Sequence, residues 1–292
     1  MRYLFITVLL AFSFAAPAQA VKVEEIQTDN GLTAWLVQDP TNPIISIRFS
    51  FKGGSALDPE GKEGLAEFVA STLDEGAAKW DSRGFQRQME DLSVQLRFNA
   101  GRDSFGGRLK TLRKNRQAAF DLLKSALTKP RFDEEPVTRV RGQLLAGLRQ
   151  EAEDPGSVAG KTLMKTLFPK HPYGRPGSGT VESIAAITGD DLKNFVKRRL
   201  ARNNLVVGIV GDISKEEVAK FLSETFGNLP RNAAPWTLPD VIAAAAGKTI
   251  VVKKPVPPSS IMYAHEGIKR DDPDFFAAFL VNHILGGGSF TS

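Results

Sequence analysis

Residues 60–76, read as Glu-Gly-Lys-Glu-Gly-Leu-Ala-Glu-Phe-Val-Ala-Ser-Thr-Leu-Asp-Glu-Gly, constrain this chain more than any other stretch. Leu65, Val69 and Leu73 recur at i, i+4 and i+8 with Ala66 beside them, which predicts one amphipathic helix with a single apolar stripe. Gly64 and Gly76 bracket it, the second as a C-terminal stop. A stripe of this kind must lie on something, so the rest of the chain has to supply a surface for it. Another face of the helix carries Glu67 and Ser71, four apart, with Ala70 between them.

Strands supply the surface. Thr33–Val37 follows a turn at Asn30-Gly31, and in Ile44–Phe51 the apolar Ile45, Ile47 and Phe49 alternate with Ser46, Arg48 and Ser50. Val94, Leu96 and Phe98 alternate again, and a turn through Asn99-Ala100-Gly101 returns the chain as Asp103–Leu109, a hairpin. Ser82 can cap a helix that buries Phe85, Met89 and Leu92. Further helices are predicted over Leu112–Leu127, stopped by Pro130, over Glu134–Ala152 and over Pro155–Phe168. A short helical turn follows at Val181–Ala186, and Thr188 with Asp191 forms a capping box for a helix that ends near Leu200. Leu205–Val210 is a compact apolar strand, after which Ser214 with Glu217 opens a helix ending at Phe226-Gly227. Elements in βαββα order, rather than strict βαβ alternation, predict an α+β class, an α/β sandwich of a mainly antiparallel sheet packed with helices.

Residues 21–230 make up this first unit. Residues 231–248, rich in Pro and Ala, read as a linker, and residues 249–292 repeat an earlier pattern. Pro257–Gly288 follows the plan of Pro43–Gly76: a strand after proline, a glycine, Asp-Pro, a helix, then glycine. Phe279–Gly287 lies over Phe68–Gly76 without a gap, as a duplicated domain would. This second copy stops after one strand and one helix. A piece of about 44 residues cannot bury a core alone, so the sequence is expected to be part of a longer chain.

Composition narrows the setting. Arg2, the apolar run Leu4–Ala16 and the small-residue site Ala18-Gln19-Ala20 make residues 1–20 a secretory signal, too short for a membrane span. A periplasmic or secreted protein is expected, with no stable span once the signal is cleaved. The chain has no cysteine, which excludes thiol nucleophiles and thiolate metal sites and leaves stability to the core. A formal net charge of +5 is mild. The basic clusters Arg108, Lys110, Arg113, Lys114, Arg116 and Lys197, Arg198, Arg199, Arg202 read as solvated faces, not as a nucleic-acid surface.

Read together, these motifs resemble the insulinase/pitrilysin family of zinc peptidases. The residues that carry the resemblance are the glycine-bounded helix Gly64–Gly76, the loop His171-Pro172-Tyr173-Gly174, Asn203-Asn204 running into the strand Leu205–Gly211, Phe226–Pro230 and the stretch Asn282–Phe290. Active members carry an inverted motif, His-x-x-Glu-His, on the first helix and a distant glutamate as third ligand. Histidines at i and i+4 hold Zn²⁺ from one helix face, and the carboxylate takes a proton from the zinc-bound water. By resemblance those positions fall on Glu67, Ala70 and Ser71, and the distant ligand near Ala146 and Gly147. The ligands and the base are missing. No metal site or catalytic residue is expected in this chain, and zinc is expected only in a partner. His171, His265 and His283 stand far apart, and His171 reads as structural.

The resemblance implies a non-catalytic subunit that pairs with a zinc-bearing sibling and helps to bind peptide for proteolysis. Extended peptide would add as a strand to an exposed sheet edge, with Ile44–Phe51 as a candidate edge. The glycine run Gly286, Gly287, Gly288 with Ser289 and Phe290 has two readings, a flexible helix exit or, by resemblance, a loop that engages the substrate peptide. The arginine and tyrosine that such subunits contribute from the second domain would lie past Ser292. Two alternatives stay open: a zinc endopeptidase active through a displaced site, and a purely structural subunit.

Overall fold

The surface beneath the predicted helix is a six-stranded sheet. The computed structural model of the protein describes residues 21–244, 247–255 and 259–287. Strands β1 (Glu24–Gln27), β2 (Thr33–Gln38), β3 (Ile44–Lys52), β4 (Gln95–Ala100), β5 (Ser104–Leu112) and β6 (Leu205–Gly211) lie in the order β1-β2-β6-β3-β5-β4. All pairings are antiparallel except β2 with β6. The alternation in β3 sets Ile45, Ile47, Phe49 and Phe51 into the core and leaves Ser46 and Arg48 exposed.

Helices cover the inner face: α1 (Leu65–Ala70), α2 (Ser82–Asp91), α3 (Arg116–Thr128), α4 (Glu134–Glu153), α5 (Pro155–Leu167), α6 (Val181–Ala186), α7 (Gly189–Arg199) and α8 (Lys215–Phe226). α3 and α8 pack on each other and on the sheet, while α1 sits among α7, α4, β4 and β5. Aromatic rings lock the layers together: Phe49 meets Phe98 at 5.9 Å and Phe226 at 6.0 Å, and Phe120 meets Phe221 at 4.2 Å between ring centres. The mixed α/β architecture with a mainly antiparallel sheet is the predicted class.

Four expectations change. The strand Ile44–Phe51 is not an edge. It is β3, paired with β5 on one side and β6 on the other, so its backbone groups are already used. Among the described residues β1 and β4 are the outer strands. The helix read over Glu60–Gly76 is also shorter than its pattern, because regular helix begins only after Gly64, at a left-handed φ of +89°, and ends at Ala70. Buried Asp58 caps it by accepting from Gly64 N at 3.0 Å and Ala66 N at 3.1 Å. Beyond Ala70 the Thr72 hydroxyl donates to the Phe68 carbonyl at 2.7 Å, and the chain continues as turns to Gly76. A smaller change concerns α2: Asp81, not Ser82, is its cap, accepting from Gly84 N at 2.8 Å.

The last change lies in the segment read as a second copy. α9 (Phe275–Asn282) forms and runs into a wider turn over His283–Gly287, but the strand expected after Pro257 is not formed over residues 259–269. A strand exists only as one side of a ladder, and nothing pairs with this segment among the described residues. The described residues of the stretch read as a linker carry no helix or strand, and hydrogen bonds hold them along the preceding residues. Ala234 N donates to Arg198 O at 2.8 Å, Ala233 N to Asn203 Oδ1 at 2.9 Å, and Ala244 N to Leu167 O at 2.7 Å.

Candidate functional site

The face of α1 opposite its packing stripe looks into a depression of about 390 Å³. Ala70 and Ser71 line it from α1, Asp74 and Glu75 from the turns that follow, Gln86 from α2, and Arg97 and Phe98 from β4. Its position follows from packing. Leu65, Val69 and Leu73 are buried, which turns Glu67 and Ser71, both half-buried, away from the core. Of the sequence-predicted positions, Ala70 and Ser71 meet in this depression with Glu67 one turn before them.

Ala146 and Gly147 stand on α4, beside α1, and do not line the depression. Ala146 is exposed, and space is open where a Gly147 side chain would project. One turn further on, Glu151 completes that face of α4. Burial pushes the Glu67 carboxyl above the usual range, and the Glu151 charge adds to the rise, while the Ser71 hydroxyl opposes it. Glu151 is itself held by Lys161 at 2.6 Å and by the Ser178 hydroxyl at 3.1 Å. The sequence reading missed Glu151, although its i+4 spacing from Gly147 was available as a signal.

Two further acids shape the site. Burial raises the Asp74 carboxyl to about 6, with Glu75 beside it raising it further and Arg97, 3.4 Å away, opposing. Gln86 Nε2 donates to the Asp74 carbonyl at 2.9 Å. Glu75 ties three elements together by accepting from Ser82 Oγ and from Arg139 Nη2 of α4, both at 2.5 Å. The depression is acidic and mostly polar, with its walls held by these hydrogen bonds and ion pairs.

Zinc does not fit these residues. Glu67 offers one carboxylate, Ser71 a hydroxyl, Ala70 a methyl group, and Gly147 nothing, which falls short of three ligands and a base. Among the described residues no group of three or more His, Cys, Asp or Glu side chains is placed to hold a metal ion. The histidines are elsewhere. Buried His171 accepts from Tyr173 N at Nδ1, 3.2 Å, and its Nε2 lies 3.0 Å from the Pro239 carbonyl, which fixes the neutral ring with its proton on Nε2. His171 thus anchors the linker to the His-Pro-Tyr-Gly loop, whose Tyr173 hydroxyl donates to Asp103 at 2.7 Å. His265 and His283 are exposed and do not line the depression. In the glycine run Gly286 has a φ of +133°, and Gly288, Ser289 and Phe290 lie outside the described residues.

Residues 33–181 match the family model described as Insulinase (Peptidase family M16), and residues 186–292 match the one described as Peptidase M16 inactive domain. A Helicobacter pylori protein described as non-peptidase homolog YmxG is 29% identical over 236 residues, covering 80% of this chain and 54% of that protein. The mitochondrial-processing peptidase subunit beta of Saccharomyces cerevisiae is 22% identical over 261 residues, covering 88% of this chain and 56% of its own. The crystal structure of a peptidase M16 inactive domain from Pseudomonas fluorescens superimposes with a TM-score of 0.78 at 28% identity, over 92% of this chain and 65% of that one. The chain spans about half the length of the curated relatives it matches.

Proposed function

The chain belongs to the insulinase family, peptidase family M16, and on that premise we propose that it is an exported, non-catalytic member that holds extended peptide for a zinc-bearing sibling to cut. Glu67, Ala70 and Ser71 then occupy the positions of the zinc motif, with Ala146 and Gly147 at the third ligand, and zinc belongs to the sibling alone. The protein works in the periplasm or beyond it, after removal of residues 1–20. The observation that carries this reading is the place of the depression: it opens beside β4, an outer strand of the sheet, and β4 itself contributes Arg97 and Phe98 to the lining.

A peptide that pairs with β4 uses backbone groups for affinity and sends alternate side chains towards the depression. Asp74, Glu75 and Glu67 favour a cationic side chain there. Losing the metal ligands leaves this cleft standing, because its walls are set by the core stripe of α1 and by the Glu75–Arg139 and Asp74–Arg97 pairs. Gly286–Phe290 is the second contact to the peptide, from the start of the second domain.

Hydrogen exchange on the full-length protein tests this. Added peptide slows exchange of β4 amides and leaves β1 amides unchanged, and mixing with the zinc-bearing sibling raises peptide turnover. Protection elsewhere, or unchanged turnover, sinks the proposal.

A further inference from the structure

The sheet face turned away from the helices carries a row of side chains of which the peptide cleft uses only Arg97. Strand register places Arg97, Arg108 and Arg48 directly opposite one another on β4, β5 and β3, followed by Gly208 on β6 and Trp35 on β2. Lys110 stands in the next row, opposite Ser46 and Gln95. All four cations are exposed. Like charges directly opposite across a ladder cost stability. Arg97 relieves its share by reaching round the outer strand to Asp74 at 3.4 Å. Among the described residues Arg48, Arg108 and Lys110 make no ion pair or side-chain hydrogen bond, whereas the neighbouring Arg113 and Arg116 are paired with Asp212 and Glu217.

Beside these cations runs an apolar strip. Trp35, Val206 and Val210 are each 48% exposed. Space is open where a Gly208 side chain would stand, so a notch separates Arg48 from Trp35. A basic row and an apolar strip thus share one face.

We propose that this face docks an acidic amphipathic helix contributed by a partner polypeptide. Strand addition is not available here, because the backbone groups of β5, β3, β6 and β2 are engaged within the sheet. On a helix, carboxylates three or four residues apart lie about 5–6 Å from each other, close to the ~4.8 Å between neighbouring strands, so such a pair stands over Arg108 and Arg48 together. Same-face side chains of an extended segment are about 6.7 Å apart and miss this spacing. The helix lays its apolar flank on Trp35, Val206 and Val210, with one side chain in the Gly208 notch, and its carboxylates remove the repulsion along the row. A polyphosphate or a lipid surface would engage the cations and leave the apolar strip bare. The inference stands apart from the peptide-holding role, which uses the outer strand and the helix side of the sheet, and either can fail alone.

The test titrates the full-length protein with a synthetic amphipathic helix of about 18 residues bearing a Leu/Ala face and a Glu flank, and with a twin whose flank is Lys. At low salt the Glu helix binds about tenfold tighter or better than its twin, and the advantage shrinks as salt rises. The pair Arg48→Glu/Arg108→Glu inverts the preference; if that protein does not melt as a folded chain, Arg48→Gln/Arg108→Gln abolishes the preference instead. Trp35 emission shifts on binding. Equal affinity for the two helices, indifference to both substitution pairs, or equally tight binding of anionic vesicles or single-stranded DNA overturns the proposal.

Discussion

Two stretches of the chain carry one pattern and meet different fates. Phe68–Gly76 and Phe279–Gly287 align without a gap, and each is apolar at the same four positions before a closing glycine. In the first, Phe68, Val69 and Leu73 are fully buried. Their counterparts in the second, Phe279, Leu280 and Ile284, are 58%, 58% and 75% exposed. Burial is therefore not a property of the pattern. It comes from the sheet that β3, β4, β5 and β6 place beneath the first copy and that the second copy lacks among the described residues. Even the Asp-Pro that leads into each helix differs. The Asp58 carboxylate caps α1 through two backbone N–H groups, while the Asp272 carboxylate accepts from Asp274 N, at 2.9 Å.

Truncating each copy sharpens the contrast most. Phe68→Ala leaves a cavity under α1 and costs about 3–5 kcal/mol of unfolding free energy by denaturant titration. Phe279→Ala in this chain stays within about 0.5 kcal/mol, as at other solvent-facing positions. Equal losses would mean that α9 is packed after all. The closing glycines come next. Gly76, at a φ of +114°, would bring a Cβ to 3.1 Å from Ser82 N, so Gly76→Ala costs about 1–3 kcal/mol through backbone strain. Its aligned counterpart Gly287 is outside the left-handed region, and an added Cβ there would meet only Asn282 of α9 itself, so Gly287→Ala disturbs the exit of α9 without moving the main unfolding transition.

Acid separates the copies more gently. Burial holds the Asp58 carboxyl at about 7, against 3.8 for an ordinary aspartate, although its two N–H donors pull it down. Because the folded state keeps this proton longer, the contribution to stability is fully present below pH 3.8 and is lost as pH rises through 7. Asp74, raised to about 6, acts in the same direction. Asp191 and Glu217 are lowered, the first by Lys62 and the Thr188 cap against its own burial, the second chiefly by Ser214 N, so their contributions fail only in stronger acid. The melting temperature consequently rises as pH falls from about 8 to about 5, and Asp58→Asn flattens that slope. The smallest effect is that of Glu67→Gln, which removes a half-buried charge facing Glu151 and shifts stability upward by no more than about 0.5 kcal/mol.

Much of the fold was legible because its signals are local. Thr188 and Ser214 open helices with the two-way capping bonds that such residues make, and the period-two alternation of β3 fixed its faces. Whether β3 lay inside or at the edge could not be read, since that depends on β6, more than 150 residues later. The length of α1 was overread for a related reason. Gly64 stands where a side chain would collide with Ser178 and Ile184, and the Thr72 hydroxyl bonds the Phe68 carbonyl, so the helix is bounded by its surroundings and not by the apolar spacing. The blank face of α1 was plain from Glu67, Ala70 and Ser71. The cleft beside it was not, because Asp74, Glu75, Gln86 and Arg97 meet only after the hairpin has folded back. The arginine row was split by the same distance. Arg108 and Lys110 looked like part of a solvated cluster until register set them beside Arg48 and Arg97.

The central claim is that the first helix has kept its packing and lost its metal. The direct measurement is zinc content after dialysis, compared between the wild-type chain and the variant Glu67→His/Ala70→Glu/Ser71→His/Gly147→Glu. The account predicts no stoichiometric zinc in the wild type and stoichiometric zinc in the variant, whose four side chains rebuild the site on an unchanged scaffold. Stoichiometric zinc in the wild type, with peptide cleavage by that protein alone, would contradict it.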